Sequence, residues 1–334
     1  MQLIIFFLLF GTILGDLSFE WNKFKHDYNK QYKTIAEENE RKQIFIDNVN
    51  QMRSYEQNYP DATFKMAINH LMDRRLEELA SGSKLPRRSR SISSKNFIQV
   101  KKYPESLDWR TKGVISPVFL DKIGRDVTAV VSTELVETLH AIETGNLIKG
   151  SISRVYDCCP QPIDAFDCIQ NMSGICRDSD YPSVLGSCDL NKCKPFTTFK
   201  IINRLDKPDE NMMLAWIQDS TLWAELNLAG PGFQAYTTGI YDVPACTQSP
   251  IDDVVQIVGY GVEGGKPYWI CKNSWGQNWG ENGYFRIVRG KNMCHIAEVV
   301  IQVSNTEKND GVGQYNMVSM IFVFIVAIIS RIIN

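Results

Sequence analysis

The side chains able to do nucleophilic or metal chemistry are unevenly placed in this 334-residue chain. All nine cysteines lie at or after Cys158. The four histidines are His26, His70, His140 and His295. A thiolate nucleophile needs a neighbouring imidazole to activate it and a third group to orient that base. A Cys/His zinc site needs regular ligand spacing, and histidine is too scarce here to provide it. Cysteines clustered behind an export signal favour disulfides instead. The odd count leaves at least one thiol unpaired. Cys271, which follows the apolar Tyr268-Trp269-Ile270, is the expected buried one. No metal and no cofactor is expected.

The elements that would position these groups can be read along the chain. Residues 1–15 carry an apolar run from Ile4 to Leu14 ending in Gly15, the pattern of a secretory signal peptide, although no Lys or Arg precedes it. Residues 16–80 form an N-terminal module. Its charged stretch to Tyr59 has Ile35, Phe45, Val49 and Met52 at helical intervals, which predicts one long amphipathic helix after a shorter one. Alternation of apolar and polar residues from Phe64 to Asp73 predicts a strand. Residues 81–102 are basic and Ser-rich, with Pro86 between Leu85 and Arg87, and read as an exposed linker and processing region. From 103 to 304 the pattern is globular, with an apolar helix through Val127 to Ile142 closing at Gly145 and strand-like segments after Ile201. Helices first and strands later imply an α+β fold.

Residues 305–334 comprise a polar spacer and an apolar tail of about 17 residues from Met317, near the lower limit for spanning a bilayer. Small residues in the spacer resemble a GPI-attachment signal, and a short spanning helix or a packed tail are the alternatives. The formal net charge of −2 supplies no electrostatic reason to expect nucleic acid as a partner. Asn171-Met172-Ser173 is an N-glycosylation sequon.

Three stretches resemble the papain/cathepsin L family. The most specific runs Tyr268-Trp269-Ile270-Cys271-Lys272-Asn273-Ser274-Trp275-Gly276, then Trp279-Gly280 and Gly283-Tyr284-Phe285, and is similar to the segment bearing the asparagine that orients the catalytic histidine. Pro104-Glu105-Ser106-Leu107-Asp108-Trp109-Arg110 resembles the start of the mature enzyme. Glu37, Arg41, Phe45 and Asn48, followed by Ala67, Asn69, Leu71 and Asp73, resemble the signatures of its inhibitory prodomain. The resemblance implies a two-lobed papain-like fold, a helical lobe plus a β-rich lobe, with an N-terminal helical inhibitor prodomain laid over the cleft. It also implies a Cys246–Cys294 disulfide and a second between Cys158 or Cys159 and Cys188 or Cys193, the Cys158–Cys188 choice being preferred. Cys168 and Cys176 are left free to pair with each other.

The same resemblance locates the site that should do the chemistry. In the family the nucleophile opens the long helix, and a glutamine six residues earlier donates to the oxyanion. Here those positions fall on Val127 and Asp121, and the tryptophan after the nucleophile is Thr128. The histidine's position falls on Asp253, before Ile257-Val258-Gly259-Tyr260-Gly261. The separations, 253 − 127 = 126 and 273 − 127 = 146 residues, are close to the family's spacing of about 130–150. Only Asn273 keeps its residue type.

No cysteine precedes Cys158, so no shift of register places a thiol on that helix. The nearest hydroxyls, Thr128, Ser132 and Thr133, lack a base: an aspartate such as Asp253, with an ordinary pKa of about 3.9, is too weak for a serine or threonine. An Asp121–Asp253 pair sharing a proton is the formal alternative. The bridge beside the site is broken, because Gly124 occupies one end. Cys159-Pro160-Gln161-Pro162 also replaces the glycine-rich segment that holds an extended peptide. The expectation is a catalytically inactive pseudoprotease of the secretory pathway, extracellular, lysosomal or held at a surface. Its partners would be a peptide, a protease or a protease inhibitor. The alternatives are an active cysteine-type endopeptidase of unfamiliar mechanism and an extracellular adhesion protein.

Overall fold

The computed structural model describes residues 17–79, 103–120, 127–160, 164–184, 186–205, 207–248 and 253–306. The expected leader, the basic linker and the apolar tail lie outside these residues, as do Asp121 and Gly124. Among the described residues no helix is long and apolar enough to cross a membrane.

The N-terminal module begins with helix α1 (17–27) and continues into α2 (Ile35–Asn58). The Thr34 hydroxyl caps α2 by accepting from Glu37 N–H, while the Glu37 carboxylate reaches back to Lys33 N–H, so two terminal donors are satisfied reciprocally. Phe45, Val49 and Met52 turn inward with Ile44. Ile35 does not: it is the first helical residue and is 81% exposed, because the helix starts before its apolar stripe meets the core. Stacked and tilted rings of Trp21, Phe24, Tyr32 and Phe45 fill the space between the helices. The predicted strand is shorter than its alternation suggested. β1 covers only Phe64–Met66, since the Asn69 side chain accepts from Leu71 N–H and bends the chain into a turn.

The body contains β2 (Leu107–Asp108), α3 (Val127–Thr144), α4 (Ile152–Cys158), α5 (Ala165–Asn171), β3 (Ile201–Arg204), α6 (Glu210–Trp216), β4 (Leu222–Leu226), β5 (Tyr236–Tyr241), β6 (Asp253–Glu263), β7 (Lys266–Lys272), β8 (Tyr284–Val288) and β9 (Val300–Ser304). The sheet runs β1-β5-β8-β7-β6-β4-β9-β3, with β2 on β6; only β5 and β8 pair in parallel. The fold is the α+β, two-lobed papain-like one. One core gathers the aromatic and aliphatic residues of the sheet, including Trp269, Trp275 and Phe285. A second surrounds α3, α4 and α5, and a third lies in the N-terminal module and takes in Ala235 of the body. Helix α3 is buried on nearly every side, which accounts for its apolar sequence, and ends at Gly145 in the left-handed conformation.

The N-terminal module covers the body by joining its sheet. β1 lies antiparallel on β5, Ala67 N–H donates to Ala235 C=O, and the Asn69 carboxamide donates to Gln234 C=O. Gln234 answers by donating to Leu71 C=O. Gly239 makes this approach possible, because a Cβ there would stand 2.4 Å from Thr63 O.

The two lobes of the body are tied by buried charge. Lys272 at the end of β7 is wholly inaccessible, and its ammonium lies 2.7 Å from Glu134 of α3 and 3.1 Å from the Ser116 hydroxyl. Burial pushes the Glu134 carboxyl up, with Lys272 pulling against it. One turn on, Glu137 accepts from Gly150 N–H and is hydrogen-bonded with Ser116. Gln256 of β6 extends the seam by donating to the Thr221 and Thr138 hydroxyls.

Removing one partner of such a pair strands the other charge in a dry interior. Lys272→Met and Glu134→Leu are each expected to lower stability by roughly 3–5 kcal/mol in denaturant unfolding, and the double variant to lose less than the sum.

Burial raises the Glu137 carboxyl from 4.5 to about 7. The folded state therefore binds a proton that the unfolded state releases. The stabilisation is complete below about 4.5 and is lost as pH rises through about 7, a loss of about 3 kcal/mol. Glu137→Gln should flatten this limb of a stability–pH profile measured by chemical unfolding. An unchanged slope would show that another group carries it.

Candidate functional site

The site expected from the sequence lies where α3 starts, β6 starts and β7 ends. Val127 is the first residue of α3, is 4% exposed, and belongs to the same apolar core as Val254. It offers no proton, lone pair or charge. Asp253 is the first residue of β6 and is 1% exposed. One of its carboxylate oxygens accepts from the adjacent Val254 N–H at 2.8 Å. Asp121 lies outside the described residues, so the Asp121–Asp253 pair has no geometry to report.

The hydroxyls near Val127 are committed to the helix. Thr133 Oγ1 donates to Ala129 C=O at 2.7 Å, and Ser132 donates to the same carbonyl at 3.5 Å. Both are fully buried, as is Thr128. The remaining thiol is no substitute. Cys271 is buried on β7 as the one unbridged cysteine, and burial pushes its pKa well above the ordinary thiol value.

Asn273 keeps its place. Its backbone N–H donates to Gly283 C=O, and its side-chain oxygen accepts from Ser274 N–H at 2.8 Å. Its buried Nδ2 has no hydrogen-bond partner among the described residues. The aromatic frame is also present: Trp275 packs against Trp279 at 4.9 Å and edge-on against Phe233 at 5.7 Å. The segment that carries Asn273 and its aromatic frame is thus in place at the end of β7.

None of the four histidines supplies an imidazole to Val127. His26 is exposed beside Asp27 in the N-terminal module. His140 sits near the far end of α3 with its ring edge-on to Phe196, and burial lowers its pKa. His295 follows Cys294 in a left-handed turn near Glu298. His70 is the unexpected one. It comes close to the Trp275 backbone of the site's own segment, and burial and then Lys30 lower its pKa. Its origin in the turn after β1 hid this from sequence reasoning, which read that stretch as strand.

Four disulfides use the other eight cysteines. Cys246 joins Cys294, and Cys158 joins Cys188. The Cys168–Cys176 option is not what forms. Cys159, at the end of α4, stands 5.8 Å in Cα separation from Cys168 on α5 and bonds it, and Cys176 bonds Cys193. Packing of α4 against α5 decides this choice, which spacing in the sequence left open.

With fold and site described, comparison with known proteins is direct. The papain family cysteine protease domain matches residues 103–304, and the cathepsin propeptide inhibitor domain (I29) matches residues 21–79. The chain belongs to the papain family of cysteine proteases. Among its relatives is digestive cysteine proteinase 2 of Homarus americanus, 32% identical over 320 residues, covering 90% of this chain and 98% of the relative. Pro-cathepsin H of Mus musculus is 31% identical over 306 residues, covering 86% and 90%. The solved digestive procathepsin L2 proteinase from Tenebrio molitor larval midgut superposes with a TM-score of 0.75 at 28% identity, over 86% of this chain and 99% of that one. The N-terminal module is thus an I29-type prodomain, and its docking on β5 is that of a papain-family zymogen.

Introducing a cysteine and a histidine at the first residues of α3 and β6 tests whether this papain-family scaffold aligns such a pair. Val127→Cys alone is expected to react with a thiol-directed epoxide no faster than an ordinary thiol. Combined with Asp253→His, whose imidazole Asn273 would orient, the same thiol is expected to label faster, with a pH profile set by the new pair. Equal rates in single and double variants would mean that the first residues of α3 and β6 no longer face each other productively.

Proposed function

We infer that this protein is a catalytically inactive member of the papain family that acts by binding. The observation that carries this reading is the residue at the start of α3. Position 127 is valine, no cysteine precedes Cys158, and Asp253 stands where an imidazole would be needed. Acyl transfer by this fold requires a thiolate, its base and an oxyanion donor, and loss of the first two removes the covalent step itself. The committed hydroxyls of α3 and the inert thiol of Cys271 support the same conclusion.

The body would present the covered cleft to a peptide, a protease or a protease inhibitor. It would do so in the secretory pathway or at a surface, with the C-terminal segment providing membrane attachment. Removal of the prodomain would fall to another protease cutting at the Arg87-Arg88-Ser89-Arg90 linker. The competing reading, an active endopeptidase, draws its support from the relatives, which include digestive cysteine proteinases of Homarus americanus.

Protein cleaved at the linker is expected neither to hydrolyse fluorogenic peptides nor to be labelled by a mechanism-based cysteine-protease probe. Labelling that maps to any cysteine and is abolished by its replacement would overturn the reading. Replacing Arg87, Arg88 and Arg90 with alanine should leave the chain full length in a host that otherwise processes it.

A further inference from the structure

The sequon Asn171-Met172-Ser173 is untouched by the functional reading, and its placement in the fold is specific. Asn171 is the last residue of α5 and is exposed, and no hydrogen bond or ion pair occupies its carboxamide among the described residues. Met172 is half-buried and Ser173 exposed, so the side chains the modification requires face solvent while the residue between them anchors the turn. Met172 N–H donates to Cys168 C=O, Ser173 N–H to Gln170 C=O and Gly174 N–H to Ile169 C=O, which closes the helix.

The informative residue is Ser173. It sits just past the helix with φ of 62°, in the left-handed region where helices of this kind favour glycine or asparagine. Gly174, with φ of 116°, has no such freedom of replacement, since a Cβ there would lie 1.9 Å from Thr197 O. A serine at 173 is therefore held against local backbone preference, and its hydroxyl makes no hydrogen bond within the described structure that would account for it. The turn is also firmly located. The Cys159–Cys168 disulfide ties α5 to α4, and the Arg154 guanidinium donates to Gly174 C=O at 2.9 Å.

We propose that Asn171 carries an N-linked glycan on the outer face of the helical lobe. In the transfer, the Asn171 Nδ2 forms a bond to the anomeric carbon of a lipid-linked oligosaccharyl diphosphate. The anomeric C–O bond to that diphosphate breaks, the lipid diphosphate leaves with the bonding pair, and the amide loses one proton. The hydroxyl of Ser173 completes the acceptor. The prodomain's docking bonds described above involve β5 and Gln234 rather than α5, so the glycan would belong to the body and remain on it whether or not the prodomain is removed. This inference does not depend on the catalytic reading.

The test uses the full chain expressed in a eukaryotic secretory host, with both medium and cell lysate treated with peptide N-glycosidase. Wild type is expected to shift by one glycan step on treatment. Asn171→Gln and Ser173→Gly should run at the treated position without treatment, and Ser173→Thr should retain the shift. Ser173→Gly separates modification from folding, because glycine suits the left-handed turn: it should be secreted at no less than the wild-type level if the glycan is not needed for folding, and be lost from the medium with an intact treated-size band in the lysate if it is. Both results accord with a glycan at Asn171. Wild type unaffected by the glycosidase, or Asn171→Gln retaining the full shift, would overturn the proposal.

Discussion

An ammonium group buried without access to water is an unusual thing for a fold to organise around, and Lys272 is such a group. It lies at the end of β7, one residue before Asn273, and it can exist there only because Glu134 reaches across from α3 and Ser116 turns a hydroxyl toward it. Desolvating both charges costs several kcal/mol per ion, which the 2.7 Å contact and its added hydrogen bonds offset. The consequence is positional. With Glu134 fixed against β7, the first turns of α3, including Val127, and the segment bearing Asn273 are held in one arrangement. The start of α3 and the end of β7 are therefore placed by the same buried tie, whatever side chains they carry.

This separates the cost of scaffold from the cost of site. Trp275, Trp279 and Phe233 pack as edge-on rings that bury large apolar area, and any loss there would open a cavity in the sheet core. Valine at 127 exacts no such cost. It fills apolar space in the core that also holds Val254. Asp253 satisfies one oxygen on its own neighbour's N–H. Asn273 spends its oxygen on Ser274 N–H and leaves a buried amide N–H without a partner among the described residues, a penalty of about 1–3 kcal/mol.

The prodomain contributes more than a cover. β1 extends the body's sheet, Phe64 packs into the sheet core, and Gln234 and Asn69 exchange hydrogen bonds across the seam. Backbone pairing of this kind depends on main-chain groups and one glycine rather than on the catalytic residues. Docking of the prodomain therefore depends on the sheet edge and not on the side chains at 127 and 253.

How much of this could be read in advance follows from the range of the forces involved. The N-terminal helix, the long helix closing at Gly145 and the aromatic segment around Asn273 are written in local spacing, and the lack of a thiol on the long helix needs no coordinates, because no cysteine precedes Cys158. The sequence alone determined the family, the α+β layout and the identity of Val127 and Asp253. Interactions between residues far apart in the chain were beyond its reach. The Cys159–Cys168 choice, the approach of His70 to Trp275 and the Glu134–Lys272 tie all join elements whose mutual distance exists only after packing. Glu134 and Glu137 look like the solvated acids of any helix until α3 is buried on nearly every side, and only that burial turns two ordinary carboxylates into the groups that hold the lobes together.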